Sequence, residues 1–257
     1  MSQSIFFRQT QEIMKNLPLF ILFFMSLFLF YCEKENDVST EEGYESYRYE
    51  LWKNLLDEGY QFDFIGALRD EGNYPDHAQQ AFDRDHQGTG GIQTNGILQQ
   101  LNDDLDIAQS ADVVLLGIGG NDLLNNPESY LPTILMNINE IIDILQAQNP
   151  NVIIFIEQIA PGHSDLMTND LNDFFNSFNS QIPTIAANQT NDNSTVIPVN
   201  MSTAWQDDYL ADPVHYNEEG AKIVADRYFQ AMKNTLPING AYSILPLGDS
   251  RVEGFRP

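Results

Sequence analysis

Basic residues are scarce in this sequence. It contains 12 lysines and arginines against 37 aspartates and glutamates, which gives a formal net charge of −25 over 257 residues. Nucleic-acid binding depends on basic patches that displace counterions from phosphates, so this composition argues against a nucleic-acid partner. The same charge would repel anionic lipid headgroups and acidic polysaccharides, and a neutral substrate suits it better.

Cysteine is almost absent, because Cys32 is the only one. A disulfide framework and a cysteine-based metal cluster are therefore excluded. The residues His77, His86 and His163 also lack the i, i+4 spacing that places two imidazoles on one metal ion. We expect neither a metal nor another cofactor.

A run long enough to span a membrane is missing too. The most apolar segment, residues 17–31, has fifteen residues and ends directly at Cys32. A membrane span needs about 20 residues, whereas a run of this length matches the apolar region of an export signal. We therefore predict that residues 1–31 are an export signal, which begins at Met1 or, more economically, at Met14.

Residues 32–42 are polar and acidic and form a linker with nothing to pack. An apolar run that ends at a cysteine before such a linker resembles a bacterial lipoprotein leader, in which Cys32 would be lipidated. Tyr31 departs from that pattern, because a small residue usually precedes the lipidated cysteine. An uncleaved membrane anchor and a plain secretory signal are the alternatives. All three export residues 43–257, and the first predicts a cell-envelope lipoprotein that touches the membrane only through its lipid.

From residue 43 onward, apolar runs of strand length alternate with longer amphipathic segments. The runs predict five strands, at residues 62–67, 111–118, 152–156, 195–199 and 243–247. The amphipathic segments predict five helices, at residues 47–59, 95–109, 130–148, 170–188 and 217–234. Such alternation predicts one α/β domain, a three-layer αβα sandwich around a parallel sheet. Sites in these sheets form at the carboxyl ends of the strands.

Three short polar motifs occupy such positions. Gly-Asp-Ser at 248–250 follows the last predicted strand, Gly-Gly-Asn-Asp at 119–122 follows the second, and Asp-Pro-Val-His at 212–215 precedes the last helix. Each motif alone is typical of a turn. Together they provide the groups that acyl transfer requires, which are a hydroxyl, an imidazole, a carboxylate and an amide.

The chemistry assigns a role to each group. A serine hydroxyl such as that of Ser250 is a weak nucleophile until an imidazole, here His215, accepts its proton. Asp212, three residues earlier, can hold the other ring nitrogen. The oxyanion that develops needs donors, and the side chain of Asn121 and the backbone N–H of Gly91 are candidates.

The three motifs and HQGTGG at 86–91 resemble the four sequence blocks of the SGNH hydrolases, also called the GDSL esterase superfamily. The resemblance covers residues 43–257 and implies a flavodoxin-like fold with a five-stranded parallel sheet. It implies that Ser250, His215 and Asp212 are catalytic. The implied oxyanion hole consists of the N–H groups of Ser250 and Gly91 and the side chain of Asn121.

Further residues near these blocks have secondary roles. Asp249, Gly119 and His86 are expected to support the nucleophile turn and the glycine block. Arg251, directly after the nucleophile, and Trp205, in the loop before residue 212, are candidates for the substrate cleft.

The segment YRYELWKNLLDEGYQFDFIGAL (residues 47–68), ahead of HQGTGG, resembles the acetylxylan-esterase-like branch of carbohydrate esterases. This implies an acetylated polysaccharide or oligosaccharide as substrate. One alternative is a lipase, a lysophospholipase or a broad short-chain carboxylesterase of the same superfamily. Another is an inactive surface protein that binds glycans.

The blocks stand in an unusual order, because the superfamily places the serine block first and this chain places it last. Joining residue 257 to residue 42 restores the usual order, which indicates a circular permutation. It predicts that residues 243–247 form an interior strand and that residues 251–257 lie near residues 43–46. The alternative is a sequence-assembly error that joined two ends of a repeated or circularised sequence.

Overall fold

The computed structural model describes residues 43–103, 111–125 and 127–255. The predicted export signal (1–31), Cys32 and the linker (32–42) lie outside the described residues, and these assignments stay predictions. Among the helices of the described part, none has both the length and the apolar character needed to cross a membrane.

The described residues form seven strands and seven α-helices. The strands are β1 (Gln61–Phe64), β2 (Leu68–Arg69), β3 (Asp85–Gly88), β4 (Val113–Gly117), β5 (Ile153–Gln158), β6 (Thr195–Asn200) and β7 (Ala241–Gly248). The helices are α1 (Arg48–Glu58), α2 (Thr94–Asp103), α3 (Gly120–Asn125), α4 (Pro127–Gln148), α5 (Asn169–Gln189), α6 (Glu218–Lys233) and α7 (Ser250–Glu253). A 3₁₀ turn covers Asp207–Tyr209.

The mixed α/β class and the largely parallel sheet are confirmed, but the predicted number of strands was too low. All five predicted strands are present, as β1, β4, β5, β6 and β7. The two additional strands are β2, which has only two residues, and β3, whose sequence DHQG has no apolar alternation. β2 runs antiparallel to β3, so the sheet is not wholly parallel. Sequence analysis did not predict β3 because its four residues are polar or glycine and lack the apolar pattern by which the other strands were predicted.

β7 lies inside the sheet, although it is the last strand of the chain. The strand order is β2-β3-β7-β4-β5-β6, and β1 also pairs with β7. β7 is parallel to β4 along Ile244–Gly248, to β1 along Ala241–Ile244 and to β3 at its last two residues. The expected interior position of residues 243–247 is confirmed.

Helices cover both faces of the sheet because its strands are apolar on both sides. Alternate residues of β4 belong to different cores: Val114 and Leu116 pack with α2, α4 and α5, whereas Val113 and Leu115 pack with α1 and α6. This is the predicted three-layer arrangement. Because helices cover both faces, a site can form at the edge where the loops leave the carboxyl ends of the strands.

The two ends of the described chain meet beside that edge. Tyr44 forms an isolated antiparallel bridge with Phe255, and the hydroxyl of Ser46 donates to the carbonyl oxygen of Val252 over 2.8 Å. The fully buried guanidinium of Arg48 donates to the carbonyl oxygens of Val252 and Glu253, at 2.8 and 2.7 Å. The beginning of α1 is thereby fixed to the end of α7.

Candidate active site

The nucleophile turn begins where β7 ends. Gly248 packs so closely against β4 that an added Cβ would lie 2.0 Å from the carbonyl oxygen of Gly117. Asp249 follows as the N-cap of α7, and its side chain accepts a hydrogen bond from the N–H of Arg251 at 3.0 Å. Ser250 is the first residue of that short helix. The strand therefore stops abruptly and presents the Ser250 hydroxyl at its carboxyl end.

The loop before α6 brings a histidine to this hydroxyl. Nε2 of His215 lies 2.8 Å from Oγ of Ser250, and Nδ1 lies 2.6 Å from Oδ2 of Asp212. The other carboxylate oxygen of Asp212 accepts the N–H groups of Val214 and His215, both at 2.8 Å. Ser250, His215 and Asp212 thus form one hydrogen-bonded relay.

The charge of Asp212 suits the role of orienting the imidazole. Partial burial alone would raise the pKa of Asp212, but its hydrogen bonds from the backbone N–H groups of Val214 and His215 and from the His215 ring outweigh this effect. The pKa of Asp212 is therefore lowered, and its carboxylate stays ionised at neutral pH. An ionised carboxylate favours the tautomer in which Nδ1 carries the proton and Nε2 accepts from Ser250.

Two of the predicted oxyanion donors, Gly91 in the turn before α2 and Asn121 in the first turn of α3, lie in segments that are hydrogen-bonded to each other. Gly91 is exposed and has a φ of 71°, a conformation that favours glycine. Nδ2 of Asn121 donates to the carbonyl oxygen of Ile92 at 3.0 Å, which uses one of the two N–H groups of this amide. Asn121 lines the cavity beside Ser250, so its other N–H group is the donor available there.

A buried carboxylate to which sequence analysis gave no role holds these two segments together. Asp122 accepts hydrogen bonds from both the N–H and the hydroxyl of Thr94, the latter at 2.7 Å. Burial raises the pKa of Asp122, although the hydrogen bonds from Thr94 oppose this. The contact joins the start of α2 to the start of α3 and so sets the distance between the Gly91 loop and Asn121.

The cavity beside Ser250 is very small, about 20 Å³. Its apolar walls are Leu124, Phe175 and Val214, and Gly120 and Gly162 also line it. A space of this size holds one or two water molecules.

Arg251, predicted for the substrate cleft, lines the cavity, but its guanidinium is engaged by the protein. Its nitrogens donate to the carbonyl oxygens of Val214, Ala160 and Pro161, at 2.8, 2.7 and 3.3 Å. It also lies over the ring of Tyr216, 4.9 Å from the centroid. The side chain therefore ties α7 to the histidine loop and to the loop after β5.

The remaining predicted residues, His86, Gly119 and Trp205, are not part of the relay. The His86 ring is buried and its Nδ1 accepts from the N–H of Gly88 at 3.0 Å, while burial lowers the pKa of His86 to about 3. Gly119 has a φ of 111°, and an added Cβ would lie 2.9 Å from Phe178. Trp205 packs against the rings of Tyr209 and Tyr216.

Sequence analysis missed Tyr44. Its ring stacks on the imidazole of His215, with centroids 4.1 Å apart and an interplanar angle of 22°. No sequence signal marks this contact, because Tyr44 precedes α1 and lies far from His215 in the sequence, so the two rings meet only in the folded domain. It adds an aromatic face to the relay.

A sequence model of the GDSL-like lipase/acylhydrolase family matches residues 47–223 of this chain. The match includes Asp212 and His215 and ends before Ser250. No curated protein sequence matches the chain significantly.

Several solved structures share the fold. A family 3 carbohydrate esterase from Clostridium thermocellum is 27% identical, with a TM-score of 0.59 over 76% of this chain and 90% of that one. A family 3 carbohydrate esterase from Talaromyces cellulolyticus is 23% identical, with a TM-score of 0.60 over 74% and 90% of the two chains. A mutant acetyl esterase with an acetate ion is 23% identical, with a TM-score of 0.62 over 74% of this chain and 90% of that one.

The family match extends over more than half of the chain and agrees with the fold and with the position of the relay at the carboxyl edge of the sheet. The chain belongs to the GDSL-like lipase/acylhydrolase family.

Proposed function

We propose that this protein is a serine esterase that removes small acyl groups, chiefly acetyl, from carbohydrate. The observation that carries the proposal is the relay in which His215 lies 2.8 Å from the Ser250 hydroxyl and 2.6 Å from Asp212. These are the contacts that nucleophilic catalysis by serine needs.

The reaction has two halves. In the first, Oγ of Ser250 bonds to the acyl carbon while its proton moves to Nε2 of His215 and the carbonyl electrons move to oxygen. Asn121 and backbone N–H groups stabilise this oxyanion. The oxyanion then collapses, the ester C–O bond breaks, and His215 gives its proton to the departing alcohol. In the second half, water repeats these steps on the acyl-enzyme and releases the acid and free Ser250.

Two cavities of different size border the Ser250–His215–Asp212 relay, and they support the proposal that the substrate is an ester of a small acyl group with a large alcohol. The cavity beside Ser250 is about 20 Å³, whereas an open cavity of about 820 Å³ borders Asp212 and Pro213. The larger cavity is lined by polar groups that include His163, Asp165 and Asp207. Hydroxyl-rich sugars can exchange hydrogen bonds with such groups, and the acidic surface is compatible with a neutral polymer.

The comparisons support a carbohydrate ester as the substrate class. The Clostridium thermocellum structure is that of a family 3 carbohydrate esterase, and it aligns over 90% of its own length. Residues 47–68 resemble the acetylxylan-esterase-like branch of the superfamily. Acetylated xylan is therefore the first polymer to test.

We also propose that the chain is a circular permutant of the usual family order. The family match ends at residue 223, so it does not include the Gly-Asp-Ser turn at residues 248–250. In the fold this turn lies at the end of the interior strand β7 and brings Ser250 next to His215. An isolated bridge pairs Tyr44 with Phe255, so a covalent link between residues 43 and 255 would need few residues. A relinked variant that starts at residue 241 and joins residue 255 to residue 43 should fold and stay active. Failure of that variant to fold would count against the permutation.

The deciding experiment measures hydrolysis of a chromogenic acetate ester, a chromogenic decanoate ester and acetylated xylan by the full chain. We expect activity on acetate and release of acetate from the polymer, with little on decanoate. Comparable activity on decanoate would favour the lipase alternative. Activity on neither ester would favour the inactive glycan-binding alternative.

A further inference from the structure

The segment that leads into α1 crosses the catalytic histidine and is fixed on both sides. The N–H of Phe255 donates to the carbonyl oxygen of Tyr44, and the N–H of Glu45 donates to the carbonyl oxygen of Tyr216, each at 2.8 Å. Tyr216 directly follows His215. The position of Tyr44 is therefore set by the tail after α7 on one side and by the histidine loop on the other.

This fixation places one aromatic ring flat on another. The Tyr44 and His215 rings are nearly parallel, at 22°, and their centroids are 4.1 Å apart. The Phe255 ring stands 6.2 Å from the Tyr44 ring and tilts by 38°. Stacking limits rotation of the imidazole out of the plane in which Nε2 reaches Ser250.

The contact also has an electrostatic consequence. When His215 takes the Ser250 proton, its ring becomes a cation, and the face of an aromatic ring attracts a cation within about 6 Å of its centroid. A neutral imidazole gains much less from the same face. The stack therefore favours the charged ring that forms during the reaction over the neutral ring that precedes it.

We propose, on the basis of the esterase function inferred above, that Tyr44 is a positioning residue for His215. It holds the imidazole against Ser250 and stabilises the imidazolium that forms when the serine attacks. The catalytic base then depends on the contact between the segment before α1 and the segment after α7.

Other charged groups also act on His215. Asp212 binds Nδ1, the carboxylates of Asp249 and Glu253 interact with the ring at longer range, and Arg251 binds the carbonyl oxygen of the preceding residue. The contacts cited for these four groups do not involve the Tyr44 side chain. A comparison of variants at Tyr44 therefore isolates the effect of the aromatic face.

The test compares Tyr44→Phe, which keeps the ring, with Tyr44→Leu, which keeps only apolar packing. In the full chain, kcat on a chromogenic acetate ester should stay near the wild-type value in the first and fall about 3- to 30-fold in the second. KM should change less than kcat. The acidic limb of kcat/KM against pH should move to lower pH in Tyr44→Leu, because the protonated ring loses its partner. If Tyr44→Leu only made the His215 ring less ordered, the plateau of kcat/KM would fall and the acidic limb would not move.

A second readout does not depend on ester hydrolysis. NMR of ¹³C-labelled histidine, with His215→Gln used for assignment, gives the titration midpoint of the His215 ring. We expect this midpoint to be about 0.4 pH unit or more lower in Tyr44→Leu than in Tyr44→Phe. If Tyr44→Leu does not fold, Tyr44→Trp should raise the midpoint instead, since indole is the strongest cation–π partner.

Equal midpoints and equal kcat values in the Phe and Leu variants would overturn the proposal. An equal loss in both variants would also overturn it, because the hydroxyl and not the ring would then be responsible. A wild-type protein without activity on any ester would instead contradict the esterase function, and the NMR titration would still decide whether the Tyr44 face stabilises the charged ring.

Discussion

The hydroxyl of Tyr228 lies 2.7 Å from Oε1 of Glu157, in the interior of the protein. Glu157 is on β5, and its carboxylate is also so close to β4 that a Cβ on Gly117 would lie 2.9 Å from Oε1. Complete burial raises the pKa of Glu157 to about 7, with the hydrogen bond from Tyr228 opposing the shift. The folded protein therefore holds a proton on Glu157 that the unfolded chain releases at lower pH.

This proton makes stability depend on pH. The folded pKa is about 7 and the ordinary value is 4.5, so between these values the folded state binds more protons than the unfolded state. The contribution of Glu157 to the free energy of unfolding is complete below about pH 4.5 and is lost as pH rises through 7, a change on the order of 3 kcal/mol.

Glu157→Gln should remove this loss, because glutamine is neutral at every pH and can still accept from Tyr228. We expect the variant to be more stable than wild type at pH 8 and similar to it near pH 4.5, as measured by urea unfolding at both values. Glu140→Gln, at an exposed position of α4, is the matched control and should behave as wild type. If Glu157→Gln is no more stable than wild type at pH 8, ionisation of Glu157 in the folded protein does not lower the free energy of unfolding.

Ser250→Ala should abolish esterase activity and leave the melting temperature nearly unchanged. The loss of a serine nucleophile costs on the order of a million-fold in kcat, and the loss of its carboxylate partner costs less. His215→Ala should be as severe as Ser250→Ala, and Asp212→Ala milder. His77→Ala is the control, because this histidine is bound to Asp57 at the surface. More than about a thousandth of wild-type activity in Ser250→Ala would show that another residue is the nucleophile.

Leu124→Ala should widen the range of acyl groups that the protein accepts. The side chain forms one apolar wall of the cavity of about 20 Å³ beside Ser250. Removing it should raise kcat/KM for a butyrate ester relative to acetate by about tenfold, the effect of one or two methylene groups in a fitted pocket. Leu98→Ala is the matched control, since Leu98 packs partly buried against the same core and does not line that cavity. An unchanged butyrate-to-acetate ratio in Leu124→Ala would mean that the acyl group lies elsewhere.

Arg251→Lys should lower both activity and stability although it keeps the charge. The guanidinium donates to three backbone carbonyl oxygens, and a lysine ammonium cannot span all three from one point. Buried carbonyls that lose their donors cost about 1–3 kcal/mol. We expect a lower melting temperature and a fall in kcat, measured on a chromogenic acetate ester. The control is Arg69→Lys, whose guanidinium forms an exposed pair with Asp85. Full activity in Arg251→Lys would show that the histidine loop holds its position without this contact.

The sequence by itself was sufficient for the α/β class and for the groups that form the relay. Apolar runs of strand length that alternate with amphipathic segments predict a parallel sheet that helices cover. Ser250, Asn121 and the pair formed by Asp212 and His215 follow strands or precede a helix, which are local features of the chain. Such features can be predicted because they depend on neighbouring residues alone.

Only the tertiary structure decided the contacts between distant segments. β3 was missed because its sequence, DHQG, has no apolar pattern, and it becomes a strand only by pairing with β7, which is distant in the sequence. The Tyr44 stack on His215, the three carbonyl contacts of Arg251 and the burial of Glu157 join residues that are far apart in the chain. Their energies arise from proximity and from exclusion of water, and neither exists before the chain has folded.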